Sequence, residues 1–162
     1  MPSFNQEIFR NMAKKTDIYN GSLLEQFNMK PYKLKAKEGY MTKRQLTHFG
    51  KLLNAWKNQL EKEAEKTVNH MQKDSNSLAD PNDRATQESE FGLELRTRDR
   101  ERKLLRKIQI SLTKIGEGTY GYCDETGEKI GLKRLEARPV ANLTLEAQER
   151  REITEKQFKD NR

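Results

Sequence analysis

The chain has 162 residues, of which 33% are hydrophobic and 35% charged. A compact globule usually carries about 45–50% apolar and about 25% charged residues, so the composition argues against one large core and for an elongated helical protein. The formal net charge of +7 points to an acidic partner such as nucleic acid, a nucleotide or an acidic protein groove.

Residues 1–40 read as an N-terminal arm that packs on a globular end. Ile8, Phe9 and Met12, then Leu23, Leu24 and Phe27, are apolar at helical spacing, broken by Asn20-Gly21-Ser22, with Ser22 a candidate cap. Pro31 to Gly39 reads as an extended basic linker.

Residues 41–115 read as an antiparallel coiled-coil hairpin. Thr42 is a good N-cap, with Gln45 in the capping-box position. Leu46, Phe49, Leu53, Trp56 and Leu60 follow the 3-4 spacing of a coiled-coil seam. The apolar positions then shift to Ala64, Val68 and Met71, a stutter. Asp74-Ser75-Asn76-Ser77 weakens the helix ahead of a tip near 78–85. There Asp80 reads as an N-cap, Pro81 as the first helical residue and Asp83 as an acid favoured by the helix dipole. The return helix carries Ala85, Phe91, Leu95, Leu105, Ile108, Leu112 and Ile115 as its apolar stripe, and Gly116 and Gly118 end it. Each arm is roughly 35 residues, about 50 Å at 1.5 Å per residue. A turn centred near Pro81 sets Glu61, Glu63 and Glu65 opposite Arg100, Arg98 and Arg96, which favours one hairpin over two separate helices.

Residues 116–162 are mixed. Tyr120, Tyr122, Ile130 and Leu132 flank the turn-like Thr126-Gly127-Glu128-Lys129, a short hairpin or loop pair. A last helix is expected from about Leu145 to Phe158. Tyr122, Leu132, Leu135, Leu143 and Leu145 are the expected packing residues of this end.

Two motifs are decoys. Gly116-Glu117-Gly118-Thr119-Tyr120-Gly121 matches a kinase-type phosphate loop, but it follows a helix and no H-R-D or D-F-G accompanies it. Cys123, the single cysteine, cannot form an internal disulfide. A zinc ribbon would need a second thiolate at Thr126 and its other half about 18 residues on, where the chain has Leu143-Thr144-Leu145-Glu146-Ala147. Cys123 therefore reads as a small packed hydrophobe rather than a redox sensor. No N-terminal apolar segment and no apolar run of membrane length is present, so a soluble, reducing, cytoplasmic setting is expected.

Several segments carry a resemblance. They are Glu38-Gly39-Tyr40-Met41, Ala55-Trp56-Lys57-Asn58-Gln59-Leu60, Thr67-Val68-Asn69-His70-Met71-Gln72, Asp80-Pro81-Asn82-Asp83-Arg84-Ala85, the run from Leu93 to Leu104, Gly121-Tyr122-Cys123, and Arg134-Leu135-Glu136-Ala137-Arg138-Pro139. Over roughly residues 38–158 the chain resembles the DksA/TraR family of bacterial transcription regulators. The resemblance implies a mostly α fold, a long antiparallel coiled coil projecting from a small globular end that usually holds a four-cysteine zinc finger. It also implies a monomeric, non-enzymatic regulator that binds RNA polymerase directly and not promoter DNA. The coiled coil enters the secondary channel, its acidic tip approaches the catalytic centre, and guanosine tetraphosphate strengthens the effect at the interface with polymerase.

Carried onto this sequence, the tip residues are Asp80, Asp83 and Ala85. Leu104, Lys107 and Arg138 match positions that help bind the nucleotide with polymerase, and Arg100 is an additional phosphate-facing candidate. Where the family commonly has a lysine after the last zinc ligand, this chain has Gln148. The zinc positions are Cys123, Thr126, Thr144 and Ala147, so the chain resembles the cysteine-poor, zinc-independent members, and no metal or other resident cofactor is expected. Two other classes compete. One is a nucleic-acid-binding module using the basic run 96–114, although acids interleave with it and no aromatic platform accompanies it. The other is a transcript-cleavage factor whose tip acids help hold magnesium, for which two carboxylates alone are a poor site. A self-standing enzyme is disfavoured because no nucleophile–base pair is visible.

Overall fold

A computed structural model describes residues 23–74 and 81–160; the side chains at 67–68, 70–74, 81–87 and 160 lie outside the description. The expected apolar positions Ile8, Phe9 and Met12, the cap at Ser22 and the seam residues Val68 and Met71 fall outside it as well. Five helices occur among the described residues: α1 (Leu23–Gln26), α2 (Lys43–Asp74), α3 (Pro81–Glu117), α4 (Leu132–Ala137) and α5 (Leu145–Asp160). The only β pairing among them is an isolated antiparallel bridge between Tyr122 and Lys129. The fold is mostly α. The chain divides into two compact units, Phe49–Tyr120 and Met1–His48 with Gly121–Arg162.

The unit Phe49–Tyr120 is an antiparallel helical hairpin. Phe49, Leu52, Leu53 and Ile108 are fully buried, and Trp56, Leu60 and Tyr120 nearly so. Burying each such side chain contributes about 1.5–3 kcal/mol. The Phe49 and Tyr120 rings lie 5.7 Å apart. Near the same end the arms approach closely, since a Cβ on Gly50 would stand 4.0 Å from Ile115 Cδ1. Further along, the Arg98 guanidinium donates to the Ala64 carbonyl, one residue from the Glu63 that the charge register assigns to it.

The inward positions of α3 follow a strict 3-4 spacing: Phe91, Glu94, Arg98, Glu101, Leu105, Ile108, Leu112 and Ile115 are all buried or half-buried. This corrects the expected stripe at Leu95, which is exposed. Counting heptads back from Ile115 puts Glu94 on the seam and Leu95 beside it. The middle of the hairpin therefore has a polar layer. Within it Glu94 Oε2 and Arg98 Nε are buried without a hydrogen-bond partner among the described residues.

The end of α3 explains the glycine-rich decoy. Gly118 has φ +76°. Its N–H donates to Ile115 O at 3.3 Å, and the Thr119 N–H to Lys114 O at 3.0 Å. That is the Schellman pattern, which favours glycine in the left-handed position and satisfies the last carbonyls of the helix.

In the other unit, the start of α2 is held by half a capping box. The Thr42 N–H donates to Gln45 Oε1 at 3.3 Å, and Gln45 Nε2 donates to Gly39 O at 3.1 Å. The Thr42 hydroxyl is directed elsewhere, to Glu38 at 3.0 Å. Helix α1 packs on α4, and each buries one leucine, Leu24 and Leu135. The Tyr32 N–H donates to Glu136 at 2.8 Å, and Arg134 Nε donates to Leu143 O at 3.1 Å. The core here is Leu24, Cys123, Ile130, Leu135, Val140, Leu143 and Ala147. Leu135 and Leu143 match the expectation, and Tyr122 and Leu132 are half-buried. Leu145 is 57% exposed, a correction with a simple cause. It is the first residue of α5, and the side chain facing inward in that turn is Ala147.

Candidate functional site

The finger-like loops are built around Cys123. Its N–H donates to Glu128 O at 2.8 Å, and its own carbonyl accepts the Gly127 N–H at 2.9 Å, closing a tight turn. A second loop is tied to the first by Asp124 N–H to Asn142 O at 2.9 Å and Asn142 Nδ2 to Asp124 Oδ2 at 3.1 Å. The Cys123 sulfur accepts the Thr144 N–H at 3.5 Å and the Thr144 hydroxyl at 3.9 Å. Burial pushes the thiol pKa up. Hydrogen bonds from the Thr126 hydroxyl and from the backbone of Thr144, Thr126 and Glu125 outweigh it, bringing the value down to about 7.

Thr144 has a second task. Its hydroxyl oxygen accepts the Ala147 N–H at 3.3 Å and its carbonyl accepts the Gln148 N–H at 3.0 Å. It is thus the N-cap of α5. The two positions of the second loop expected to correspond to zinc ligands hold a helix cap and a buried alanine.

These residues do not fit a zinc ion. A structural site needs four thiolate, imidazole or carboxylate ligands. Thr126 and Thr144 offer hydroxyls already used in hydrogen bonds, and Ala147 has no donor atom. No cluster of three His, Cys, Asp or Glu with metal-binding geometry occurs among the described residues.

The tip is only partly described. Asp80 lies outside the described residues. Asp83 and Ala85 fall at the start of α3, their side chains outside the description. On the same helix, Arg100, Leu104 and Lys107 stand at i, i+4 and i+7 and so share one face. Arg100 and Lys107 are exposed and Leu104 is half-buried. Arg138, in the other unit, is exposed at the C-cap of α4, where its N–H donates to Arg134 O at 2.8 Å. Gln148 is half-buried and bonds Glu152 along α5 at 2.8 Å. The capping role of Thr144 was missed at the sequence level, although a threonine just before a helical run is an N-cap signal.

The described residues thus define a class: two long antiparallel helices forming one unit, and a finger-like loop pair tied together by hydrogen bonds around Cys123 and Thr144. Comparison with known proteins agrees. Residues 45–115 match the family described as DnaK suppressor protein DksA, N-terminal domain, and residues 118–152 match the prokaryotic dksA/traR C4-type zinc finger. The chain is 53% identical to a Haemophilus influenzae protein named RNA polymerase-binding transcription factor DksA, over 84% of this chain and 94% of that protein. It is 49% identical to the Escherichia coli K12 protein of the same name, over 85% of this chain and 91% of that one. The solved structure of transcription factor DksA2 from Pseudomonas aeruginosa is similar with a TM-score of 0.67 and 39% identity, over 72% of this chain and 90% of that one. The chain belongs to the DksA/TraR family.

Proposed function

We propose that this protein is a non-enzymatic transcription regulator that binds RNA polymerase and does so without structural zinc. The observation that carries the reading is the extent of the likeness. It runs through the hairpin and the finger-like end to relatives named as RNA polymerase-binding transcription factors. In this reading the hairpin of α2 and α3 enters the secondary channel of polymerase as a monomer in the cytoplasm. Asp80, Asp83 and Ala85 act at its tip near the catalytic centre.

Guanosine tetraphosphate is the proposed effector at the polymerase interface. Arg100 and Lys107 offer charge-assisted hydrogen bonds to its phosphates, Leu104 gives apolar contact on the same helical face, and Arg138 supplies a further cation. Zinc independence is supported by the hydrogen bonds that tie Cys123 to Thr144 and by the alanine at 147. Co-purification with RNA polymerase, with and without guanosine tetraphosphate, tests the reading. Retention of polymerase that increases with the nucleotide is expected, and no retention in either condition overturns it.

A further inference from the structure

We propose that Arg98 is a positioning residue for the acidic tip: its bond across the hairpin fixes the axial register of α3 on α2. The inference rests on the action of the tip at polymerase proposed above, while the register itself is a property of the unit Phe49–Tyr120 alone. Arg98 holds an inward position of α3 and is half-buried. Its guanidinium nitrogen Nη2 donates to the backbone carbonyl of Ala64 on α2. A helical carbonyl keeps a second lone pair for such a contact. The small Ala64 side chain leaves that carbonyl accessible, and the neighbouring Glu63 carboxylate accepts from Gln59 Nε2 at 3.0 Å along the same helix.

The apolar seam does not set this register by itself. After Leu60 the apolar positions of α2 change step to Ala64. On the facing helix Glu94 holds the inward position, while Leu93 and Leu95 on either side of it are 50% and 57% exposed. Turning α3 by one residue here would bury a leucine and release a carboxylate, so apolar burial alone favours a different arrangement. The hydrophobic effect is also non-directional, whereas a side-chain hydrogen bond to one particular carbonyl has a single geometry. The layer is costly, because Glu94 Oε2 and Arg98 Nε are buried without a hydrogen-bond partner among the described residues. A polar seam residue that lowers stability while specifying register is the best-attested use of such a group. Asp83 lies about 22 Å further along α3, and a slip of one turn would displace it by about 5.4 Å.

Spin labels on the exposed positions Lys66→Cys and Arg96→Cys, in the full chain carrying Cys123→Ala, read the register without polymerase. The reference chain and Glu94→Leu should each give one narrow distance distribution. Glu94→Leu/Arg98→Leu should give a second or displaced distance, at a melting temperature no lower than the reference. Glu94→Leu/Arg98→Lys, which keeps a donor, should restore the single distance. In transcription with purified RNA polymerase, unlabelled Glu94→Leu/Arg98→Leu should be retained by polymerase within about twofold of the parent yet inhibit at least about tenfold more weakly. Glu94→Leu/Arg98→Lys should recover the inhibition. The proposal is overturned by an unchanged single distance in Glu94→Leu/Arg98→Leu, by a lowered melting temperature there, or by inhibition equal to the parent's. Loss of inhibition in step with loss of retention, or failure of the lysine variant to recover it, also overturns it. If the parent itself is not retained by polymerase, the proposed function fails, and the distance measurement still decides the register.

Discussion

The Thr144 N–H reaches the Cys123 sulfur at 3.5 Å while the Thr144 hydroxyl oxygen receives the Ala147 N–H at 3.3 Å. One residue thus joins the two finger-like loops through its backbone and starts the last helix with its side chain. Thr144→Ala should cost about 0.5–2 kcal/mol in urea unfolding, with Thr144→Ser recovering most of it. Chelator should leave the melting temperature of the parent unchanged, and metal analysis should find less than one zinc per chain. One tightly bound zinc would contradict this account of the loops.

The Cys123 thiol gives the same region a pH dependence. Its pKa falls from 9.0 in the free side chain to about 7 in the fold. A depressed pKa stabilises the fold fully above the unfolded value and ceases to do so below the folded one. The contribution is therefore present above pH 9, fades between pH 9 and 7, and is gone at pH 6. Cys123→Ala carries a constant packing loss, so the gap in melting temperature between parent and variant should be wider at pH 9 than at pH 6. An equal gap at both values would contradict the thiolate assignment.

Gly121 has φ +91°, and a Cβ there would lie 2.8 Å from Met41 Cγ. The Met41 side chain can move, but the left-handed backbone still penalises any other residue. Gly121→Ala should destabilise the protein by about 1–3 kcal/mol in denaturant unfolding, without a change in helix content by circular dichroism.

The hairpin should respond oppositely at two inward positions of one helix. Ile108 is fully buried, and Ile108→Ala should cost about 2–5 kcal/mol. Glu94 and Arg98 occupy seam positions, where Glu94 Oε2 and Arg98 Nε are buried without a hydrogen-bond partner among the described residues, although Arg98 also donates to the Ala64 carbonyl. The joint substitution Glu94→Leu/Arg98→Leu should be neutral or stabilising by about 1–4 kcal/mol, measured by urea unfolding.

The hairpin was legible because Leu46 to Leu60 hold a 3-4 spacing that only a helical seam uses, and Thr42, Gln45 and Gly118 mark its ends. Leu95 misled because the stripe was read by hydrophobicity alone. The heptad count runs through Glu94, Arg98 and Glu101, so polar residues hold inward positions there. The residue types at 126, 144 and 147 are the ground for expecting no zinc there. The cap and thiol–amide contact made by Thr144 was not legible, because it depends on a pairing across 21 residues.

The central claim is a zinc-free regulator acting on RNA polymerase through an acidic tip. Its most direct test is transcription from a ribosomal RNA promoter by purified RNA polymerase, with chelator present, comparing the parent chain with Asp83→Asn. The account predicts inhibition by the parent that survives the chelator and deepens with guanosine tetraphosphate, and little inhibition by the variant. Undiminished inhibition by Asp83→Asn, or loss of the parent's effect on chelation, would contradict it.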